Sequence, residues 1–498
     1  MRKLCPKVRG CALAGGVAFV ISLLTVGCVH YEPKPLSPTQ TAADFDKRAL
    51  NDPGLLEFIA AAQKSDAVSL QPPAQWNFST LTLVAFYFHP SLNVARAQWA
   101  VAQAGAKTAG GKPNPVLAVT PGYSANAPAG VSSWFPSVSV DVPIETAGKR
   151  GKRIAHAGHL SETARLNILT TAWQVRATLR GVLLEWNAGQ RRVELLQRQL
   201  DLQDQLVKLL EQRLAAGTVA ATEVSPARVA RLKAGADLAD ARRQLAARRV
   251  ALAEALGLSS KAVEGLQLDP APPLPPESAE KFLSTEARDH ALQGRPDVLA
   301  ALSDYAAAES ALQLEIAKQY PDVHLNPGYQ FDQGEHKWTL GLSMELPLLN
   351  RNEGPIAEAG AKRAEAAARF LALQAKVIAE MDRAGQSHAA IHEQLKNSEA
   401  VLQAQRHQAD SLQAAFQAGG ADKFEAAAAR LEAALAELAV LDAQTKIQQA
   451  LGQLEDAVQI PFDALRMVEE DSGQRTEGRS QKSEIGGEAV PVPKETKP

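Results

Sequence analysis

Two histidine pairs stand one helical turn apart, His156 with His159 and His388 with His392, and a cysteine, Cys28, follows an apolar run near the N-terminus. Imidazoles at that spacing share a helix face and are good donors for zinc-class ions. A closed tetrahedral site needs four ligands, however, and no cysteine or carboxylate completes either pair. The pairs read as exposed helix histidines, and no resident metal is expected. No Ser-His-Asp arrangement, glycine-rich phosphate loop or pair of catalytic carboxylates stands out. The chain reads as a non-enzyme with no cofactor, so energy for any work it does must come from a partner.

Cys28 suggests a different chemistry. Arg2, Lys3, Lys7 and Arg9 precede an uncharged stretch, Gly10 to Gly27, rich in Val, Leu, Ile and Ala, which is the layout of an export signal. Its end, Leu24-Thr25-Val26-Gly27-Cys28, resembles a bacterial lipobox in the small residue before the cysteine and departs from it at Thr25, where leucine is commoner. Cleavage there removes residues 1–27 together with Cys5 and Cys11. The one thiol left has no internal disulfide partner but can carry acyl chains. The other reading is a free thiol in an uncleaved membrane helix, since about 18 apolar residues just suffice to span a bilayer. Tyr31 to Pro38 (YEPKPLSP) favours the first, because prolines at that density make an extended tether. Val29, where an aspartate would stand otherwise, fits a lipoprotein sorted to the outer membrane.

Composition narrows the class. With 53 basic and 55 acidic side chains the formal charge is −2, and no basic footprint marks a nucleic-acid surface. Apolar residues make up 46% of the chain but aromatics only 5%, which suits long packed helices better than compact catalytic domains.

The elements that must position these residues are duplicated. Ala85–Ser124 aligns without a gap on Ala291–Gln330, placing His89-Pro90 on Arg295-Pro296, Pro115 on Pro321, and Pro121-Gly122-Tyr123 on Pro327-Gly328-Tyr329. With small slips the register continues: Val142-Pro143 on Leu346-Pro347, Ala216-Gly217 on Ala418-Gly419, Ala227-Arg228 on Ala429-Arg430. Each copy reads helix, strand, strand, very long helix, turn, helix. The 29 prolines leave Pro143 to Pro226 and Pro355 to Pro461 empty, so both long helices run unbroken. A helix from Ile144 to Ala216 would be about 105 Å long. Leu196, Leu200, Val207, Leu210 and Leu214 fall on one coiled-coil seam, and Leu195, Leu202, Leu206 and Leu209 on a second beside it. Leu238, Leu245 and Leu252 repeat in the partner segment, as do Ile447, Leu451, Leu454 and Val458 in the second copy. Two seams demand neighbours on both sides, as in a closed cylinder of helices; a four-helix bundle satisfies the period equally.

Four segments alternate with period two instead. Residues 323–332 place Val323, Leu325, Pro327, Tyr329 and Phe331 on one face, and 338–347 do the same with Trp338, Leu340, Leu342, Met344 and Leu346. In the first copy Val138, Val140 and Val142 share a face, as do Leu117, Val119, Pro121 and Tyr123. At about ten residues each, these match strands that cross a bilayer at a tilt. Four strands cannot close a barrel, so several protomers must share one sheet. Two hairpins packed on a soluble helical core would be the alternative, which helices of this length do not suit.

Hairpins, long helix pairs, duplication and an acylated N-terminus together resemble the outer membrane efflux protein (TolC-like) family over Leu81 to Pro461. Val142 to Ala155 (VPIETAGKRGKRIA) resembles the strand-to-helix junction of its heavy-metal-efflux branch, and Arg213-Leu214-Ala215-Ala216-Gly217 its periplasmic tip. The resemblance implies a mainly α chain with a small β part, forming a homotrimer. Its 12-stranded outer-membrane barrel would continue as a long periplasmic α-helical barrel and meet a periplasmic adaptor and an inner-membrane pump. Residues would divide into the signal peptide 1–27, a tether and periplasmic segment 28–80, repeats 81–258 and 287–462 around a linker 259–286, and a disordered tail 463–498.

The same resemblance assigns roles. Asp422 and Glu425 would ring the periplasmic aperture, or else be first-turn acids that stabilise a helix N-terminus. Arg213, Gly217 and Gly419 would touch the adaptor, and the glycines would also end helices with positive φ. Asp141, Asp332 and Glu345 would face the lumen or sit near a wet rim. The passenger stays open among metal ions, drugs, solvents and polypeptides, and a periplasmic coiled-coil adaptor or scaffold lipoprotein without a pore is the second reading.

Overall fold

The structure is a computed structural model that describes residues 30–63, 73, 75–269, 279 and 282–461. The expected signal peptide, Cys28 and the tail 463–498 lie outside the described residues. A first unit ends at Arg48 and a second holds the remainder. The first unit contains α1 (Pro38–Asp46), entered through Ser37, whose hydroxyl accepts from the Gln40 amide.

The second unit contains α2 (Pro53–Ala62) and then the duplicated fold. Copy one comprises α3 (Phe78–Phe88), α4 (Pro90–Ala109), β1 (Val116–Thr120), β2 (Ser137–Ile144), α5 (Lys149–Ala215) and α6 (Ala221–Leu256). Copy two comprises α7 (Thr285–Gln293), α8 (Pro296–Ala317), β3 (Val323–Asp332), β4 (Glu335–Met344), α9 (Glu353–Gln417) and α10 (Lys423–Val458). The aligned His89-Pro90 and Arg295-Pro296 start equivalent helices: an extended N-cap precedes a proline that has no N–H to leave unsatisfied.

α5 begins at Lys149 and not at Ile144, because Ala147 and Gly148 take φ of 53° and 68°, which a right-handed helix excludes. Its 67 residues still reach about 100 Å. The two seams meet different partners. Val193, Leu196 and Leu200 pack on Leu238 and Ala241 of α6, whereas Leu202, Leu206 and Leu209 pack on Phe424, Ala427 and Leu431 of α10. On the other side of α10, Ala436 and Val440 meet Leu395 and Leu402 of α9. The long helices thus form a row, α6-α5-α10-α9, and not a closed four-helix bundle.

Where α2 to α6 converge, Leu55, Leu81, Val84, Phe88, Val175, Leu179, Leu252 and Leu256 form the largest apolar cluster. Gly257 ends α6 against it at φ 70°, and a Cβ there would lie 2.8 Å from the Phe88 carbonyl oxygen.

The four strands make one antiparallel sheet in the order β1-β2-β3-β4. Only β3 and β4 reach the ten residues expected; β1 has five and β2 eight. β1 stops before Pro121, which has no N–H for the ladder. β4 runs over 335–344 and not 338–347. Gln333 and Gly334, at φ 52° and 89°, form a two-residue turn that pairs Asp332 with Glu335 and starts the strand early. Glu345 therefore lies beyond the strand.

Candidate functional site

Register decides what each face of the sheet presents. Pairings Val119 with Val138, Val138 with Tyr329, Tyr329 with Trp338, and Leu325 with both Val142 and Leu342 put the alternating large apolar positions on one face, while Val116, opposite Asp141, lies on the other. No described helix covers that face: Trp338 is 80% exposed and Leu340 76%. The outer edges of β1 and β4 have no strand partner among the described residues. Near one end, Tyr329 packs 4.9 Å from Trp338 and its hydroxyl lies 2.6 Å from His336 Nδ1, while Tyr123 stacks edge-on to Trp134 beyond β1.

On the polar face Asp141 lies 3.0 Å from His324 Nδ1, Asn326 donates to Ser343 at 3.1 Å, and Lys337 pairs with Asp332 at 2.7 Å. Asp141 and Asp332 share this face as expected.

The segment Val142–Ala155 fastens sheet to helix. Lys149, almost buried, pairs with Asp322 at 2.8 Å; the Thr146 amide donates to the same carboxylate and the Thr146 hydroxyl to the Pro321 carbonyl. Arg153 pairs with Glu145, and Arg150 donates to the Gly110 carbonyl at the end of α4. Burial raises the Asp322 carboxyl, but the Lys149 hydrogen bond, the Thr146 amide and the Lys149 charge outweigh it and hold it below its ordinary value. Hydrogen bonding from Arg153 holds Glu145 low as well.

At the far ends of the long helices the two copies meet. Gly217 (φ 71°) and Gly419 (φ 76°) end α5 and α9 in matching turns, with Thr218 donating to the Arg213 carbonyl and Gly420 to that of Ala415. A Cβ added at either glycine would meet open space. Asp422 caps α10 by accepting from the Phe424 amide, and Glu425 completes a capping box on the Asp422 amide at 3.2 Å. Asp422 is also ion-paired with Arg213, whose guanidinium lies 5.2 Å from the Phe424 ring centre. Capping is thus a role these two acids have in this chain.

A buried charge cluster joins α5 to α10. Arg180 pairs with Glu455, which has no exposed surface, and donates to the Gly452 carbonyl; Arg176 reaches Glu455 at 2.8 Å and Trp173 donates to Asp456. Burial raises the Asp456 carboxyl despite the opposing charge of Arg180. Neither this cluster nor Asp322 stood out in the sequence, because no local spacing links residues about 170 to 280 positions apart. The one available signal was the density of basic residues in Val142–Ala155.

The histidine pairs differ. His156 Nδ1 is 2.8 Å from the Ala307 carbonyl, whereas the rings of His388 and His392 face each other with centres 6.2 Å apart. Among the described residues no group of three or more His, Cys, Asp or Glu is placed to hold a metal ion. No described helix is long and apolar enough to cross a membrane.

The family described as outer membrane efflux protein matches residues 88–258 and 287–458, the two copies of the duplicated unit. The chain belongs to that family. Among efflux relatives it is similar to the cobalt-zinc-cadmium resistance protein CzcC of Cupriavidus metallidurans, 27% identical over 222 residues. That match covers 44% of this chain and 51% of CzcC, so the chain spans about half the length of the curated relative. Its fold is that of VceC from Vibrio cholerae (TM-score 0.64, 20% identity, 77% of this chain and 96% of that one). CusC has the same fold (TM-score 0.60, 16% identity, 78% and 95%).

Proposed function

We propose that three copies of this chain form a passive outer-membrane duct. Each copy gives its four strands to a 12-stranded barrel and its row of long helices to a periplasmic α-helical barrel. The observation that carries this is the sheet itself, with a solvated apolar face, a polar opposite face and two edges unpaired among the described residues. In lipid, four such strands can satisfy their backbone only by joining edge to edge with other copies. The helical row has the same open ends, α6 and α9, so one closure serves both parts.

Asp141 and Asp332 line the lumen, with Glu345 at its rim. The Arg213, Gly217 and Gly419 tips meet a periplasmic adaptor, and through it an inner-membrane pump supplies the energy. Asp422 and Glu425 act at the aperture beside those tips. Cys28 carries the lipid anchor. The passengers are small solutes, with heavy-metal cations favoured by the likeness to CzcC.

Single-channel conductance of the purified chain in a planar bilayer tests this. Discrete conductance from a folded oligomer is expected, rising when Asp422 and Glu425 are both changed to Ala. A folded oligomer that never conducts removes the duct, and unchanged conductance in the variant removes the aperture alone.

A further inference from the structure

Along α9 the positions Met381, His388, Leu395, Leu402 and Ala409 recur by seven. Met381 packs on the Phe282–Leu454 cluster, Leu395 and Leu402 on Ala436 and Val440, and Ala409 on Ala429 and Ala433. An imidazole at His388 therefore occupies a seam position where every neighbouring repeat places an apolar side chain. Coiled-coil packing alone gives no reason for it.

His392 stands one turn further along the same helix. At i and i+4 two side chains project to the same side, and the ring centres are 6.2 Å apart with planes inclined by 30°. Two imidazoles bound to one ion at about 2.0–2.1 Å would hold their ring centres about 5 Å apart, within reach of a small rotation about χ2. Neither ring makes a hydrogen bond with any described residue. Four other histidines are committed: His89 to the Ser91 amide, His156 to the Ala307 carbonyl, His324 to Asp141 and His336 to Tyr329.

We propose that His388 and His392 form a two-imidazole chelate for a borderline divalent cation of the Zn²⁺, Cu²⁺ or Ni²⁺ class. Nitrogen donors without a carboxylate disfavour Ca²⁺ and Mg²⁺. With only two protein ligands, water fills the remaining positions and the ion exchanges readily. Such a site exchanges its ion with solvent and is not a closed resident metal centre.

The untagged full-length chain in detergent is titrated calorimetrically with Zn²⁺ at neutral pH, and nitrogen coordination is read from the electron paramagnetic resonance spectrum of bound Cu²⁺. His392→Gln, on the exposed ring, should weaken Zn²⁺ binding at least about tenfold and reduce the spectrum from two nitrogen ligands to one. His388→Gln should do the same, and His156→Gln should change neither. No binding at millimolar Zn²⁺, or equal affinity in His392→Gln, overturns the proposal. A misfolded His388 variant leaves the His392 result decisive. Conductance is a separate measurement, so a duct that conducts without binding Zn²⁺ loses only this site.

Discussion

Arg213, in the last turn of α5, is ion-paired with Asp422, the N-cap of α10, so the tip of one repeat is tied to the tip of the other. The pair is half-exposed and adds little stability by itself. Its importance is positional, since it joins the two helix pairs where they would have to separate for an aperture to widen.

Asp422→Ala removes both the cap and the ion pair, whereas Arg213→Ala removes the pair and the contact with the Phe424 ring but leaves the cap. Loss of an N-cap costs about 1 kcal/mol, so hydrogen exchange in the first turn of α10 should quicken in Asp422→Ala and much less in Arg213→Ala. Both variants should raise single-channel conductance, and the double variant should not exceed Asp422→Ala because the two share one interaction. Conductance effects that simply add would show that the two side chains act separately.

Glu455 holds Arg176 and Arg180 in the interface between α5 and α10. Replacing it by Gln removes the carboxylate that Arg176 and Arg180 share and leaves Arg180 with Asp456 as its remaining acid, a loss of up to about 3–5 kcal/mol. Thermal unfolding of the detergent-solubilised chain should start markedly lower in Glu455→Gln than in Glu437→Gln, a change in the exposed ion-pair pattern of the same helix. Equal midpoints would mean that the cluster is solvated and contributes nothing.

At the strand-to-helix junction the sign of the pH effect is fixed by Asp322. Its carboxyl is held below the ordinary value of 3.8, so its contribution is complete above that value and fades as pH falls through the lower folded value. Protease cutting at Glu145–Gly148 should be slow at neutral pH and quicken only in strong acid. Asp322→Asn should be cut readily at every pH. A neutral-pH rate in Asp322→Asn equal to that of the parent would show that the Lys149 contact does not hold the junction.

What the sequence showed follows from what is periodic in it. The duplication, the two seams of α5 and the alternation of Val323–Asp332 are repeats; the seams called for a neighbour on each side, which α6 and α10 supply, and the alternating segment is a strand. The strand ends and the start of α5 were missed because they depend on single backbone events: left-handed residues at Ala147, Gln333 and Gly334, and a missing N–H at Pro121. Asp422 was legible as an acid near a tip, but its partner Arg213 is 209 positions away, and only the folded row brings α10 against α5. The Lys149–Asp322 and Arg180–Glu455 pairs were hidden for the same reason.

Leu340 tests whether the apolar face meets lipid. It sits near the middle of β4 opposite Pro327, 76% exposed in the single chain, and Thr339 beside it points to the polar face opposite Gly328. An arginine facing lipid at the bilayer midplane costs about 2–4 kcal/mol, while lumen positions tolerate charge. Because each barrel would carry three copies, the cost is paid three times per assembly, and Leu340→Arg should fail to fold into lipid vesicles as judged by protease protection and heat-dependent gel mobility. Thr339→Arg should insert and assemble like the parent and alter only ion selectivity. Were both arginines tolerated equally, neither face would be meeting hydrocarbon, and the sheet would have to be covered by protein instead.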